Sequence, residues 1–316
     1  MTPEYKSFVT DTLRPWLQEH IEEGDFHSKD GIRIHYYEAL NPHEKASIVM
    51  VHGFCEFFGK YHETAMRFYE AGYSIFFLEL RGYGKSERTE EFLDERVYVD
   101  SFDEYVEDLH SFVEEIVKKK AQTDRYFLFS HSMGGAVSTL YLEEYPETFK
   151  CCVLSSPMLQ VNYGNIPDLA VDALAVYSKV KEINTDYAPG QGSFSGEPDF
   201  EGSCCMDEDR YAYQFALRKA DRRYQTWGGT WAWVRAAKDG SEKARKYAYK
   251  VKTPILLCQA GNDSMVRLQG QNEFDRNCSA VTLICFQEAK HELFNATKEI
   301  REEYYKAVLT YFKAYE

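Results

Sequence analysis

Short apolar runs separated by amphipathic stretches set the strongest limit on how this chain can fold. Ser47–Val51, Tyr73–Leu78, Tyr126–Phe129, Phe149–Leu154, Ile255–Gln259 and Val281–Phe286 are dominated by apolar and β-branched residues. Runs of that length and content read as strands buried on both faces. Residues 60–71, Phe102–Lys119, Met133–Glu144 and Leu268–Asn277 lie between them with apolar positions at helical spacing, and Thr297–Tyr315 follows the last strand. Such alternation predicts a mostly parallel central sheet with helices on both faces. Asp30-Gly31, set between two alternating runs from Asp25 to Tyr37, predicts a hairpin leading into that sheet. Residues 4–22 predict a short amphipathic helix interrupted at Pro15.

The alternation breaks from Met158 to about Tyr249. That stretch holds helical patterns, a Gly/Ser/Pro-rich loop (Pro189–Gly202) and a Trp-rich segment (Trp227–Trp233), but no buried strand pattern. The chain has 316 residues, which suits one large α/β domain carrying an insertion. Residues 1–157 and 250–316 are therefore expected to form an α/β core, with 158–249 as a helical cap inserted between two sheet strands.

The formal net charge is −14, and no Lys/Arg run exceeds Lys118-Lys119-Lys120, which falls where a helix C-terminus favours cations. Nothing here offers the basic patch of a nucleic-acid binder. The eight cysteines form no C-x-x-C and no zinc spacing with histidine. Cys258 and Cys285 fall inside strands, so free thiols in a reducing compartment are expected. Met1 to His20 lacks an apolar signal core, and no run of about 20 apolar residues could span a membrane, so a cytoplasmic location is expected.

The chemistry concentrates in Ser130-His131-Ser132-Met133-Gly134-Gly135, which follows a strand and opens a helix. That context suits a nucleophile elbow, where the residues two before and two after the nucleophile must be small. Ser130 stands where glycine is usual and meets the same steric demand. A serine hydroxyl needs a general base, and on this kind of fold the acid and then the histidine follow the serine in the chain. Asp263 follows the strand Ile255–Gln259, and His291 follows Val281–Phe286; each fits its place in that order. An oxyanion needs two donors, for which the backbone amides of Phe54 and Met133 are the candidates, with Gly53 allowing close approach. His131 and Cys55 are expected to pack rather than react, and the nine histidines show no metal-like cluster.

Val51-His52-Gly53-Phe54-Cys55-Glu56, Arg81-Gly82-Tyr83-Gly84-Lys85-Ser86, His131-Ser132-Met133-Gly134-Gly135, Asp263 and His291-Glu292 together resemble the lysophospholipase/monoacylglycerol lipase branch of the α/β-hydrolases. The resemblance runs from about Gly24 onward and includes Tyr224-Gln225-Thr226-Trp227-Gly228-Gly229-Thr230-Trp231 in the insertion. It implies the α/β-hydrolase fold, a cap over the nucleophile, and hydrolysis of a single-chain acyl ester through a Ser132-His291-Asp263 triad. It also implies an apolar pocket, for which Phe57, Phe58, Trp227 and Trp231 are candidates. The expected partner is a small lipid-like ester met in transient contact with a membrane surface, with no nucleic acid, no cofactor and no metal; the oligomeric state stays open. Glu79 stands where the branch often has Asp, and the cap diverges around Gln191 to Asp209. A short-chain or aromatic carboxylesterase, a proline-type aminopeptidase, and a binding or sensor protein on the same fold remain alternatives.

Overall fold

A computed structural model describes residues 1–88, 95–164 and 168–316. Residues 165–167, inside the expected cap, lie outside the described residues. The strands are β1 (Glu22–His27), β2 (Arg33–Ala39), β3 (Ala46–Val51), β4 (Tyr73–Glu79), β5 (Tyr126–His131), β6 (Cys151–Ser155), β7 (Ile255–Ala260) and β8 (Val281–Phe286). They form one eight-stranded sheet in the order β1-β2-β4-β3-β5-β6-β7-β8. The leading hairpin β1–β2 and the β2–β4 pair are antiparallel, and every other pair is parallel.

The helices are α1 (Pro3–Phe8), α2 (Arg14–His20), α3 (His62–Glu70), α4 (Phe102–Phe112), α5 (Lys118–Lys120), α6 (Met133–Glu144), α7 (Asp168–Val180), α8 (Glu208–Ala220), α9 (Trp231–Lys246), α10 (Leu268–Asn277) and α11 (Lys298–Lys313). Side chains alternate across each strand, so the sheet divides the apolar residues into two cores. Val49, Val51, Phe76, Leu78, Leu128 and Leu154 face α4, α6 and α9. Ile48, Met50, Ile75, Phe77, Phe129 and Val153 face the opposite way, toward α3 and α11. Every residue of α6 from Met133 to Leu142 is buried, because the sheet covers one side and α4 and α9 the other. A helix enclosed on all sides is apolar all round, which gave its sequence a clear signature.

One expectation needs correction. Pro15 does not interrupt the first helix. Residues Val9–Leu13 widen into a π-turn in which the Arg14 amide reaches the Val9 carbonyl, five residues back. The extra residue carries the chain past the proline without a break. The expected 158–249 cap meets the body through its C-terminal part. Its last helix, α9, packs on α6 and α4, and Ala236, Ala237 and Ala244 join the core on that face. Gly240 lies so close to Phe102 that an added Cβ would fall 2.8 Å from its ring.

Candidate active site

The elbow between β5 and α6 is a tight turn with Ser132 at its apex. Ser132 has φ 52° and ψ −118°, a conformation that L-residues seldom adopt and that a surrounding structure must enforce. Here the Ser132 amide donates to the Ser155 carbonyl at 3.0 Å, and the Ser132 carbonyl accepts from the Met158 amide at 2.8 Å. Gly134 is obligatory, since a Cβ there would lie 2.4 Å from the Val51 carbonyl oxygen and 2.6 Å from that of His52. Ser130 is fully buried, so the hydroxymethyl group fits where glycine is usual.

Asp263 lies in the turn after β7. Its Oδ1 accepts from the amides of Met265 and Val266 at 2.8 and 3.0 Å, and its Oδ2 lies 2.6 Å from His291 Nδ1. Burial pushes its carboxyl up, but the charge and hydrogen bond of His291, with the two amides, outweigh this and hold it below the ordinary value. His291, buried in the turn after β8, is brought to the elbow: its ring lies 4.7 Å, centre to centre, from that of His131, the residue before Ser132. His131 itself is fully buried, with Nδ1 3.1 Å from the Ser155 carbonyl, and burial depresses its pKa to about 4. A neutral packing histidine is what that environment permits. Cys55 is likewise buried, its thiol pushed up to about 12, far from a reactive thiolate.

Met133 is the first residue of α6, where helix amides have no intrahelical acceptor. Phe54 follows Gly53, whose own close packing is measured by the 3.0 Å between a hypothetical Cβ and the Ser132 Cβ. Gly53 thus brings the loop that holds Phe54 against the elbow. The Phe54 ring lies 4.0 Å, centre to centre, from that of Trp233 at a tilt of 32°, which ties this loop to α9.

The aromatic candidates separate. Phe57 is buried against Tyr224 at 4.5 Å, and Phe58 is buried against Tyr37 at 4.3 Å and Phe77 at 5.0 Å, in the core on the α3 side of the sheet. Phe58 is thus a core residue rather than a pocket wall. Trp231 is half-buried at the start of α9, and Trp227 is exposed and lies 5.7 Å from Phe194.

Beneath the elbow lies a charge cluster with no counterpart in the expectations above. Glu56 accepts from the Gly53 amide at 2.6 Å and from the Tyr61 hydroxyl, and pairs with Lys60. Lys60 also pairs with Glu292 at 2.7 Å, and Glu292 accepts from Asn295 at 3.0 Å. Burial raises the carboxyl of Glu56, but Lys60 and His131 more than reverse this, so it stays ionised well below the ordinary range. The cluster joins the oxyanion loop to the histidine turn. Its one trace in the chain is the i,i+4 spacing of Glu56 and Lys60; Glu292 is too distant in sequence to be matched to them. Among the described residues, no three His, Cys, Asp or Glu side chains are grouped as metal ligands would be.

Residues 42–298 match the family model described as serine aminopeptidase, S33. The chain belongs to that family of α/β-hydrolases. It is a serine hydrolase by membership, with the mostly parallel sheet of that fold. It is 28% identical over 265 residues to lysophospholipase L2 of Escherichia coli, covering 82% of this chain and 76% of the relative. Monoacylglycerol lipase of Mycolicibacterium smegmatis is 32% identical over 153 residues, covering 48% and 52% of the two chains. The crystal structure of Paleococcus ferrophilus monoacylglycerol lipase aligns with TM-score 0.70 and 24% identity over 90% of this chain and 99% of that one. Among the described residues, no helix is long and apolar enough to cross a membrane.

Proposed function

We propose that this S33 hydrolase cleaves single-chain acyl esters, lysophospholipids or monoacylglycerols, with Ser132 as nucleophile, His291 as base and Asp263 as its orienting acid. The observation that carries the reading is the 2.6 Å contact of His291 Nδ1 with Asp263, with the His291 ring 4.7 Å from that of His131, the residue before the strained Ser132. An Nδ1–H held by the carboxylate leaves Nε2 unprotonated and able to accept the Ser132 proton. The serine oxygen then adds to the ester carbonyl, and the amides of Phe54 and Met133 stabilise the resulting oxyanion. His291 returns the proton to the departing alcohol, leaving an acyl-serine that water hydrolyses by the same proton path. The names of the relatives support the substrate class. In this reading the cap is residues 158–230, and α9 belongs to the body.

Labelling by a fluorophosphonate probe, followed by turnover of nitrophenyl esters of rising acyl length, tests the proposal. Labelling lost in Ser132→Ala and a rate maximum at long acyl chains are expected. Full turnover in Ser132→Ala would refute the nucleophile, and a maximum at two carbons would refute the acyl class. Cleavage of proline-terminated peptides in preference to esters would favour the aminopeptidase alternative.

A further inference from the structure

Arg218, near the end of α8, is 8% exposed, yet among the described residues no carboxylate hydrogen-bonds to it. Its guanidinium donates to the backbone carbonyls of Cys55 at 2.6 Å, Tyr224 at 2.9 Å and Thr226 at 3.4 Å. The rings of Phe57 and Trp227 lie 5.0 Å from its Cζ and that of Phe194 5.9 Å. Glu56 and Glu292 act on its charge from further off, but their oxygens are engaged by Lys60, Tyr61, Asn295 and the Gly53 amide. A guanidinium is permanently charged, and burying one without a hydrogen-bonded anion is unfavourable. Carbonyl dipoles and ring faces offset only part of that. The fork carries five N–H donors, more than these contacts use.

Its position matters as much as its charge. The Cys55 carbonyl that it holds is in the residue after Phe54, so at most about 7 Å of chain separates that carbonyl from the proposed oxyanion amide. In a lysophospholipid, a glycerol backbone sets the phosphorus a comparable distance from the ester carbonyl. Of the rings around the guanidinium, Trp227 is 41% exposed, whereas Phe57 is buried.

We infer that Arg218 is a specificity residue that binds the phosphodiester of a lysophospholipid whose ester carbonyl is seated at Ser132. The inference rests on the ester-hydrolase reading and narrows it, favouring phosphate-bearing esters over neutral glycerol esters. Arg and phosphate make charge-assisted, commonly bidentate hydrogen bonds, and a phosphodiester entering past Trp227 supplies the anion that the cage lacks.

The test compares kcat/KM for lysophosphatidylcholine and monoacylglycerol of the same acyl chain, in wild type, Arg218→Gln and Arg218→Lys. Wild type should favour the phosphate ester by at least about tenfold, the scale of one charge-assisted contact. Arg218→Gln should lower that ratio by about tenfold or more, chiefly through KM, and Arg218→Lys should recover part of it. Glycero-3-phosphocholine should raise the KM of wild type for monoacylglycerol without changing kcat. Equal loss on both esters in Arg218→Gln would reduce Arg218 to a tie between α8 and the oxyanion loop and overturn the assignment. If that variant does not fold, the wild-type ratio and the competition decide: a ratio near one without competition overturns the inference alone. Turnover of neither ester by wild type overturns the ester-hydrolase reading itself.

Discussion

Replacing Lys60 by Met tests the buried cluster most directly. Lys60 Nζ bridges Glu56 and Glu292, and the side chains of all three are at most 8% exposed. Methionine keeps most of the stem volume but leaves two carboxylates facing each other without a cation. Breaking a buried ion pair in this way costs about 3–5 kcal/mol. A chain of 316 residues, at about 2.1 cal/mol/K per residue, unfolds with an entropy of about 0.66 kcal/mol/K, so Tm should fall by about 5–8 °C. The loss should depend on pH in a defined direction. The folded-state carboxyls of Glu56 and Glu292 are depressed, with burial opposing and Lys60 foremost among the groups that lower them. Depressed carboxylates contribute stability above their unfolded pKa of about 4.3 and lose it as pH falls through the folded value. In Lys60→Met that contribution is already gone, so the Tm gap should be at its full size above about pH 4.3 and narrow as pH falls further, toward the depressed folded values. Thermal unfolding of both proteins by calorimetry from about pH 2 to pH 8 measures it. A shift below about 2 °C at pH 7, or a gap that does not change with pH, would refute the assignment of Lys60 as the counter-ion of both carboxylates.

Ser132→Gly should abolish ester turnover yet raise Tm by about 1–3 °C, because glycine adopts φ 52° without the steric penalty that serine carries there; a lower Tm would show that the elbow is unstrained. Asp263→Asn should reduce kcat by about 10⁴ with the fold intact by circular dichroism, since the amide can leave His291 with the wrong nitrogen protonated; a loss under tenfold would remove Asp263 from the triad. Glu79 is buried, and burial foremost raises its carboxyl to about 7 against the amides of Lys85 and Phe58. A carboxyl raised on folding binds its proton more tightly in the native state, so stability falls as pH rises from about 4.3 toward 7 and levels off above. Glu79→Gln should flatten that stretch of the Tm profile, and an unchanged profile would mean that Glu79 is not the group responsible.

The parts of the molecule that were legible in the chain are those governed by local pattern. Val281–Phe286 and Leu268–Asn277 appear with the bounds that apolar spacing predicts. The elbow was legible because a fixed local geometry demands small residues at 130 and 134. The pairing of Asp263 with His291 follows the chain order of turns after β7 and β8, where the sequence led one to look for it. Other features depend on packing between distant segments and left no such mark. Phe58 sits beside Phe57 in the chain, yet the backbone turns the two rings to different neighbours, Tyr37 and Tyr224. The alanine stripe of α9 reads as an ordinary amphipathic helix, and its packing on α6 and Phe102 appears only in the fold. The counter-ion role of Lys60 is invisible because Glu292 arrives from the far end of the sheet.

That last arrangement bears on how a site built from separate loops keeps its geometry. The oxyanion loop leaves β3, whereas His291 leaves β8, and β5, β6 and β7 stand between those strands in the sheet. Backbone pairing fixes each strand but not the loops beyond the strand ends, where deviations of an ångström matter for proton transfer. An apolar contact there would tolerate sliding, because dispersion is non-directional. Lys60 instead holds one carboxylate from each loop, and Glu56 passes the restraint to the Gly53 amide at 2.6 Å, one residue before the proposed oxyanion donor. Directional, charge-assisted hydrogen bonds restrict both loops at once. The unfavourable desolvation of three charges is therefore placed where it restricts the relative position of the proposed base and the proposed oxyanion donor. It follows that Lys60→Met should lower kcat more than it raises KM, since in the proposed reading the cluster holds the reacting groups and not the acyl chain. Steady-state kinetics well below the Tm of the variant separate the two, and a change confined to KM would show that the cluster supports binding rather than alignment.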